Sequence, residues 1–161
     1  MTPNQLAKSG TEHAHQTALF AWCAVARIHG FDVADAWAEG AKLPAQLTKD
    51  EDAKVPELEW FHAIHNQGHG DKVRGGMAKA EGVRKGIADT FLPVPRGNWH
   101  GLYIEMKKPA EKPKSSTAKG GVSDDQAQFG AYCNANGYGW AVCYSWREAA
   151  DTLRHYIEWS K

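Results

Sequence analysis

Two short stretches hold side chains of the kinds that hydrolyse a charged ester with a metal ion. They are Ala88-Asp89 and, after an apolar run, Glu105-Met106-Lys107 inside Leu102-Tyr103-Ile104-Glu105-Met106-Lys107. A strand sends successive side chains to opposite faces, so Leu102, Ile104 and Met106 share an apolar face and Tyr103, Glu105 and Lys107 share the other. Alternate residues of a strand lie about 7 Å apart. That spacing lets a carboxylate hold a divalent cation while an ammonium addresses a nucleophile or a phosphate. Asp89 lies sixteen positions before Glu105, where a preceding strand could place the two side by side. Phosphodiester hydrolysis fits this set. A phosphodiester is a poor electrophile shielded by its own charge, and cutting it requires charge neutralisation and an oriented water. Magnesium takes hard oxygen ligands and usually only one or two carboxylates from the protein. Asp89 and Glu105 supply that number, the Met106 carbonyl could add a neutral oxygen, and Lys107 is a compact charge for the hydroxide or the phosphate.

Each of these residues also has an ordinary reading. Glu105 and Lys107 could be an ion pair on an exposed strand face, and Asp89 could simply start a strand. Glu12 shares a helix face with Gln16, one turn on, and could close the site from above. It also stands three positions after Ser9, the spacing of a capping box. Gln126 stands three positions after Ser123 and has the same double meaning. Lys79, Arg84 and Lys85 precede Asp89, and Lys107, Lys108, Lys112, Lys114 and Lys119 form a run broken by Glu111. Such cations could hold a nucleic-acid backbone or merely solvate a surface. Among the histidines, His62, His65 and His69 tempt a zinc reading, as does the pair His13 and His15. On a strand, however, His62 and His65 would face opposite sides, which argues against joint ligation.

Capping, periodicity and turn chemistry predict the elements that position these residues. The stretch from Thr11 to His29 places Ala18, Leu19, Trp22 and Ala26 at helical spacing, opened by Ser9 with Glu12 and stopped by Gly30. Residues 31–57 are weakly periodic and charged, which predicts a loop or insertion with room for a short helix around 34–41. Leu58 to His65 reads as an imperfect strand, and residues 72–86 permit a short helix interrupted by glycines. Ala88 to Val94 and Trp99 to Lys107 flank Pro95-Arg96-Gly97-Asn98, a hairpin signal. Residues 108–121 are rich in Lys, Pro, Ser, Thr and Gly, which predicts a mobile basic loop beside the site. Ser123 with Gln126 opens a second helix ending near Asn136-Gly137, Tyr138 to Tyr144 is a strand, and Ser145 with Glu148 caps a last helix. That order predicts a mixed sheet covered by helices.

With 161 residues, one domain (1–161) is the simplest organisation, able to bury roughly two thirds of its unfolded surface. A formal net charge of zero means that any basic surface must be local. Cys23, Cys133 and Cys143 lack metal-binding spacing and lie in apolar stretches, as buried thiols of a reducing compartment would. No signal-peptide pattern and no membrane-spanning apolar run is visible, so a soluble, cytoplasmic protein is expected.

Taken together, these residues resemble the VRR-NUC family of the PD-(D/E)xK nuclease superfamily. The family's Val-Arg-Arg motif matches Val83-Arg84-Lys85, with lysine in place of the second arginine, and its Gly-x-Pro-Asp matches Gly86-Ile87-Ala88-Asp89, with alanine in place of proline. Its (D/E)xK element matches Glu105-Met106-Lys107. Its early helical glutamate looks like Glu12, and its glutamine after the catalytic strand looks like Gln126. Trp60 to Asn66 is similar to the family's strand before the motif region. The resemblance implies an α/β restriction-endonuclease-like core, a mixed central sheet flanked by helices, with Mg²⁺ or Mn²⁺ as cofactor. It implies catalysis by Asp89, Glu105, Lys107 and Gln126, and metal ligation by Glu12, Asp89, Glu105 and Met106. DNA contacts would fall to Lys79, Arg84, Lys85, Lys108, Lys112 and Lys114. Small stand-alone members look like viral or bacterial enzymes acting as homodimers on branched DNA, which makes resolution of four-way (Holliday) junctions the leading expectation and a phage gene in a bacterial host a plausible source. A nuclease for flaps, nicks or simple duplex and a non-catalytic DNA-binding module are the alternatives.

Overall fold

The computed structural model describes residues 1–44, 52–65, 76 and 79–159. A short helix α1 (Pro3–Leu6) leads into α2 (Glu12–His29). Every third or fourth residue of α2 is buried: His15, Ala18, Leu19, Trp22, Cys23 and Ala26. Gly30, at φ +91°, ends this helix and lets α3 (Phe31–Ala38) begin at once in a new direction. Four strands follow: β1 (His62–Ala63), β2 (Thr90–Leu92), β3 (Leu102–Met106) and β4 (Gly139–Cys143). Helix α4 (Asp124–Ala135) connects β3 to β4, and α5 (Trp146–Glu158) closes the chain.

The sheet runs in the order β1-β2-β3-β4, antiparallel between the first two pairs and parallel between β3 and β4. A parallel neighbour needs a crossover, and α4 supplies it. One face of β3, with Leu102, Ile104 and Met106, packs into a core shared with the stripes of α2 and α5, including Leu19, Trp22, Ala150 and Leu153. Fully burying an aliphatic side chain of this size stabilises by about 1.5–3 kcal/mol. Helix α4 covers the opposite face. Its Phe129 meets Tyr103 edge to face at 5.1 Å, and Gly130 lets the helix lie against the Trp140 ring. The mixed sheet between helices is the expected architecture.

Several local expectations change. The N-cap of α2 is Thr11, whose side chain accepts the Ala14 N–H at 3.2 Å. Ser9 lies instead in a 3₁₀ turn, Ala7–Ser9, that ends at Gly10, so the Ser9–Glu12 box does not form. Within 31–57, read as loop with a short helix, α3 starts at Phe31, whose ring stacks on Trp22 at 5.6 Å. Residues 45–51 of that stretch lie outside the described residues. The strand expected over 58–65 shrinks to β1, because Pro56 starts a 3₁₀ helix that runs to Trp60. At the hairpin tip Arg96 is buried, with Glu57 at 2.5 Å and the Ile157 carbonyl at 2.9 Å. Cys23, Cys133 and Cys143 are buried free thiols, as expected.

Candidate active site

The β2–β3 register pairs Thr90 with Ile104, so one step further sets Asp89 across from Glu105. Asp89 itself lies just before β2 begins. The Met106 N–H, which points toward β2, finds the Asp89 side chain in place of a backbone carbonyl, at 2.7 Å to Oδ2. The N–H and C=O of one strand residue point the same way, so the Met106 carbonyl also faces the Asp89 side. Glu105 lies under the first turn of α4. That helix is opened by a full capping box: Ser123 accepts the Gln126 N–H at 3.2 Å, and Gln126 Oε1 accepts the Ser123 N–H at 2.9 Å. The same Gln126 donates through Nε2 to Glu105 Oε1. Cap and site are thus one side chain, with the oxygen serving the helix and the nitrogen serving Glu105.

Glu105 is 1% exposed and Lys107 7%, which excludes the ordinary exposed ion pair. Their charged ends meet at 2.9 Å, Lys107 Nζ to Glu105 Oε1. The second oxygen, Glu105 Oε2, is buried without a hydrogen-bond partner. An unpartnered carboxylate oxygen in a dry site is unfavourable unless a proton or a cation neutralises it. Accordingly burial, then Asp89 and Glu12, push the Glu105 carboxyl up to about 7, against the pull of Lys107. Burial also raises Asp89, opposed by the Met106 N–H and Lys107. Glu12 is raised by burial and then by Asp89, with Lys107, Glu111 and Lys108 also in electrostatic reach. It therefore approaches the same site from the start of α2. Burial works to lower Lys107, but Glu105, Glu12 and Asp89 outweigh it and raise the ammonium overall. A lysine held in its charged form suits charge stabilisation better than proton abstraction.

Among the described residues, no three His, Cys, Asp or Glu side chains are already drawn together as a cation cage. The donor set nevertheless fits a hard cation: three carboxylates raised first by burial, with Asp89 adding to the rise of Glu105 and Glu12, a carbonyl on the Asp89 side, and one orphaned carboxylate oxygen. Among the described residues, no histidine joins this group. His15 is buried and accepts the Trp146 N–H at 3.1 Å, His13, His62 and His65 are exposed or partly so at the surface, and His69 lies outside the described residues.

The proposed DNA contacts are spread more widely. Lys79, Arg84, Lys85, Lys108, Lys112 and Lys114 are all exposed. Arg84 and Lys85 precede Gly86, whose φ is +81° and where a Cβ would lie 2.5 Å from the Asp125 backbone, so this turn sits close against the start of α4. The basic loop is more fastened than its composition predicts. Lys112 pairs with Glu148 at 2.6 Å and Lys119 with Asp124 at 2.8 Å, so Lys112 already has a carboxylate partner. Sequence patterns gave no sign of these ties.

No protein-family model matches the chain, and no curated protein matches it. Among solved structures it is similar to a chain described as a VRR_NUC domain protein, with a TM-score of 0.56 and 18% identity over 94% of this chain and 91% of that one. At that identity the likeness is one of fold. The chain has the α/β restriction-endonuclease-like fold, a mixed sheet flanked by helices, with Glu105 on central strand β3 and Lys107 just past its end.

Proposed function

We propose that this protein is a divalent-metal-dependent endodeoxyribonuclease of the VRR-NUC kind, acting through Asp89, Glu105, Lys107 and Gln126. The observation that carries this reading is Glu105: almost fully buried, bound on Oε1 by Lys107 and Gln126, and left without a partner on Oε2. Burying ionisable groups without full compensation is destabilising, so such arrangements concentrate at functional sites. The fold of a VRR_NUC domain protein and the order of the motifs point the same way.

Glu12, Asp89, Glu105 and the Met106 carbonyl would hold Mg²⁺ or Mn²⁺. The bound ion supplies charge neutralisation and a more acidic water. The chain's own groups do the rest. Gln126 and Lys107 fix one oxygen of Glu105 and so orient the other. Asp89, tied to the Met106 N–H, is held at its station across from Glu105. Lys107 stabilises negative charge on the attacked phosphate. Lys79, Arg84, Lys85, Lys108 and Lys114 contact the DNA backbone non-specifically.

The substrate we favour is branched DNA, with four-way junctions first and a homodimer supplying two sites for paired incisions. This choice rests on the resemblance to small stand-alone members of the family. A nuclease for flaps, nicks or plain duplex would use the same site, and a binding module would use none of it. Cleavage of a labelled junction, flap and duplex with Mg²⁺, Mn²⁺ or EDTA separates them. Paired, metal-dependent nicks on the junction support the resolvase. Cuts confined to flap or duplex retain the chemistry and discard the junction. Binding without cutting in every metal refutes the enzyme.

A further inference from the structure

The loop 108–121 has little that can pack, yet both of its ends are fastened to the junction between β4 and α5. The Lys107 N–H donates to the Cys143 carbonyl at 2.9 Å, which carries the β3–β4 ladder to the start of the loop. Lys112 Nζ meets Glu148 Oε1 at 2.6 Å, and the Tyr144 hydroxyl donates to the Gly120 carbonyl at 3.0 Å. The two fasteners are joined to each other, because Glu148 Oε2 accepts the Tyr144 N–H at 2.8 Å. Gly120 is buried at φ +58°, and a Cβ there would collide with the Tyr144 hydroxyl and lie 2.6 Å from Pro113, so this contact is built around a glycine.

Helix capping does not account for Glu148. Its N–H does donate to the Ser145 hydroxyl, at 3.1 Å. In a capping box its carboxylate would return to the Ser145 N–H. Instead the carboxylate divides between Tyr144 and the loop lysine. Fastened in this way, the loop brings Lys108 and Glu111 within electrostatic reach of Glu12, and Tyr144 within reach of Lys107.

We propose that Tyr144 and Glu148 are positioning residues: a two-point brace that holds the basic loop over the active site, so that Lys108 and Lys114 are presented to the DNA backbone already in place. The inference rests on the nuclease reading for its purpose and on the contacts above for its mechanics. A loop ordered before DNA arrives forfeits less conformational freedom on binding, so the brace raises affinity without touching DNA itself.

Trypsin reads the brace without DNA or metal. Lys108 and Lys112 precede prolines and are poor sites, so cutting after Lys114 and Lys119 reports release of the loop. In the full chain with EDTA, Tyr144→Phe and Glu148→Gln each speed that cutting about fivefold, the equivalent of one lost hydrogen bond, and the double variant speeds it further. The same proteins are then titrated in EDTA with a labelled four-way junction at several salt concentrations. In wild type, Lys114→Ala reduces the salt slope by about one phosphate contact. In the double variant it changes the slope little, because the lysine is no longer held in place. Wild-type cutting rates in both single variants would overturn the brace whatever the DNA result. Faster cutting with junction affinity unchanged would overturn the positioning role. Faster cutting in proteins none of which, wild type included, binds junction, flap or duplex DNA either in EDTA or with Ca²⁺ in its place would remove the nuclease reading, and the purpose of the brace with it.

Discussion

Leu102, Ile104 and Met106 on one face of β3, and Glu105 and Lys107 on the other, are each at most 7% exposed, yet burial acts on the two faces in opposite senses. The first face gains from leaving water and meets the apolar stripes of α2 and α5. The second loses the hydration of two charges and recovers it only in part, through one ion pair and one amide, with an oxygen left over. One face is explained by stability. The other is not, and a group buried against its own solvation calls for a ligand.

That contrast can be broken from either side. Asp89→Ala and Lys107→Ala should each lower the rate of DNA cleavage by about 100- to 1,000-fold, the usual loss of a group aimed at developing charge, with far-ultraviolet circular dichroism unchanged. A rate within threefold of wild type would remove that residue from the site. Ile104→Ala acts on the opposite face and should destabilise by about 2–5 kcal/mol in urea unfolding. A loss below about 1 kcal/mol would mean that this face is not the core.

Glu105→Gln sharpens the contrast, because it should stabilise the metal-free protein while abolishing its activity. The folded carboxyl titrates at about 7 against an ordinary value of 4.5. Between those values the folded protein therefore holds a proton that the unfolded chain has released. Stability from this group is complete below the ordinary value and is lost as pH rises through about 7. Glutamine removes the loss, on the order of 1–3 kcal/mol at pH 8, and flattens the pH dependence of the melting temperature in EDTA. A variant less stable than wild type at pH 8 would contradict this. Gln126→Ala should have the smallest effect, slowing cleavage about tenfold as the loss of an orienting partner does. If it instead unfolds α4, the capping half of its role dominates.

The grouping of the candidate site's residues was more legible in the sequence than the local elements around them. Asp89, Glu105 and Lys107 could be placed because strand alternation and a hairpin signal are short-range rules, and the observed register puts them together. Gln126 could be read as both cap and site, and its amide divides in that way. Glu12 was blurred by a local pattern, since Ser9 has the right spacing for a cap but Thr11 takes the position. The start of α3 was missed because its anchor, the stacking of Phe31 on Trp22, is a tertiary contact invisible to periodicity. The brace on the loop was invisible for the same reason. Tyr144 and Glu148 lie more than twenty residues from the glycine and the lysine they hold, and composition alone describes such a loop as unattached.

Calorimetric titration of the metal-free protein with Mn²⁺ near pH 6.5, in buffers of differing ionisation enthalpy, tests the central claim most directly. If Glu105 is kept out of water to serve a cation, wild type binds Mn²⁺ and releases protons as it does so, and both signals are lost in Glu105→Gln. Binding of equal strength and proton release in the variant, or no binding in wild type, would contradict the account.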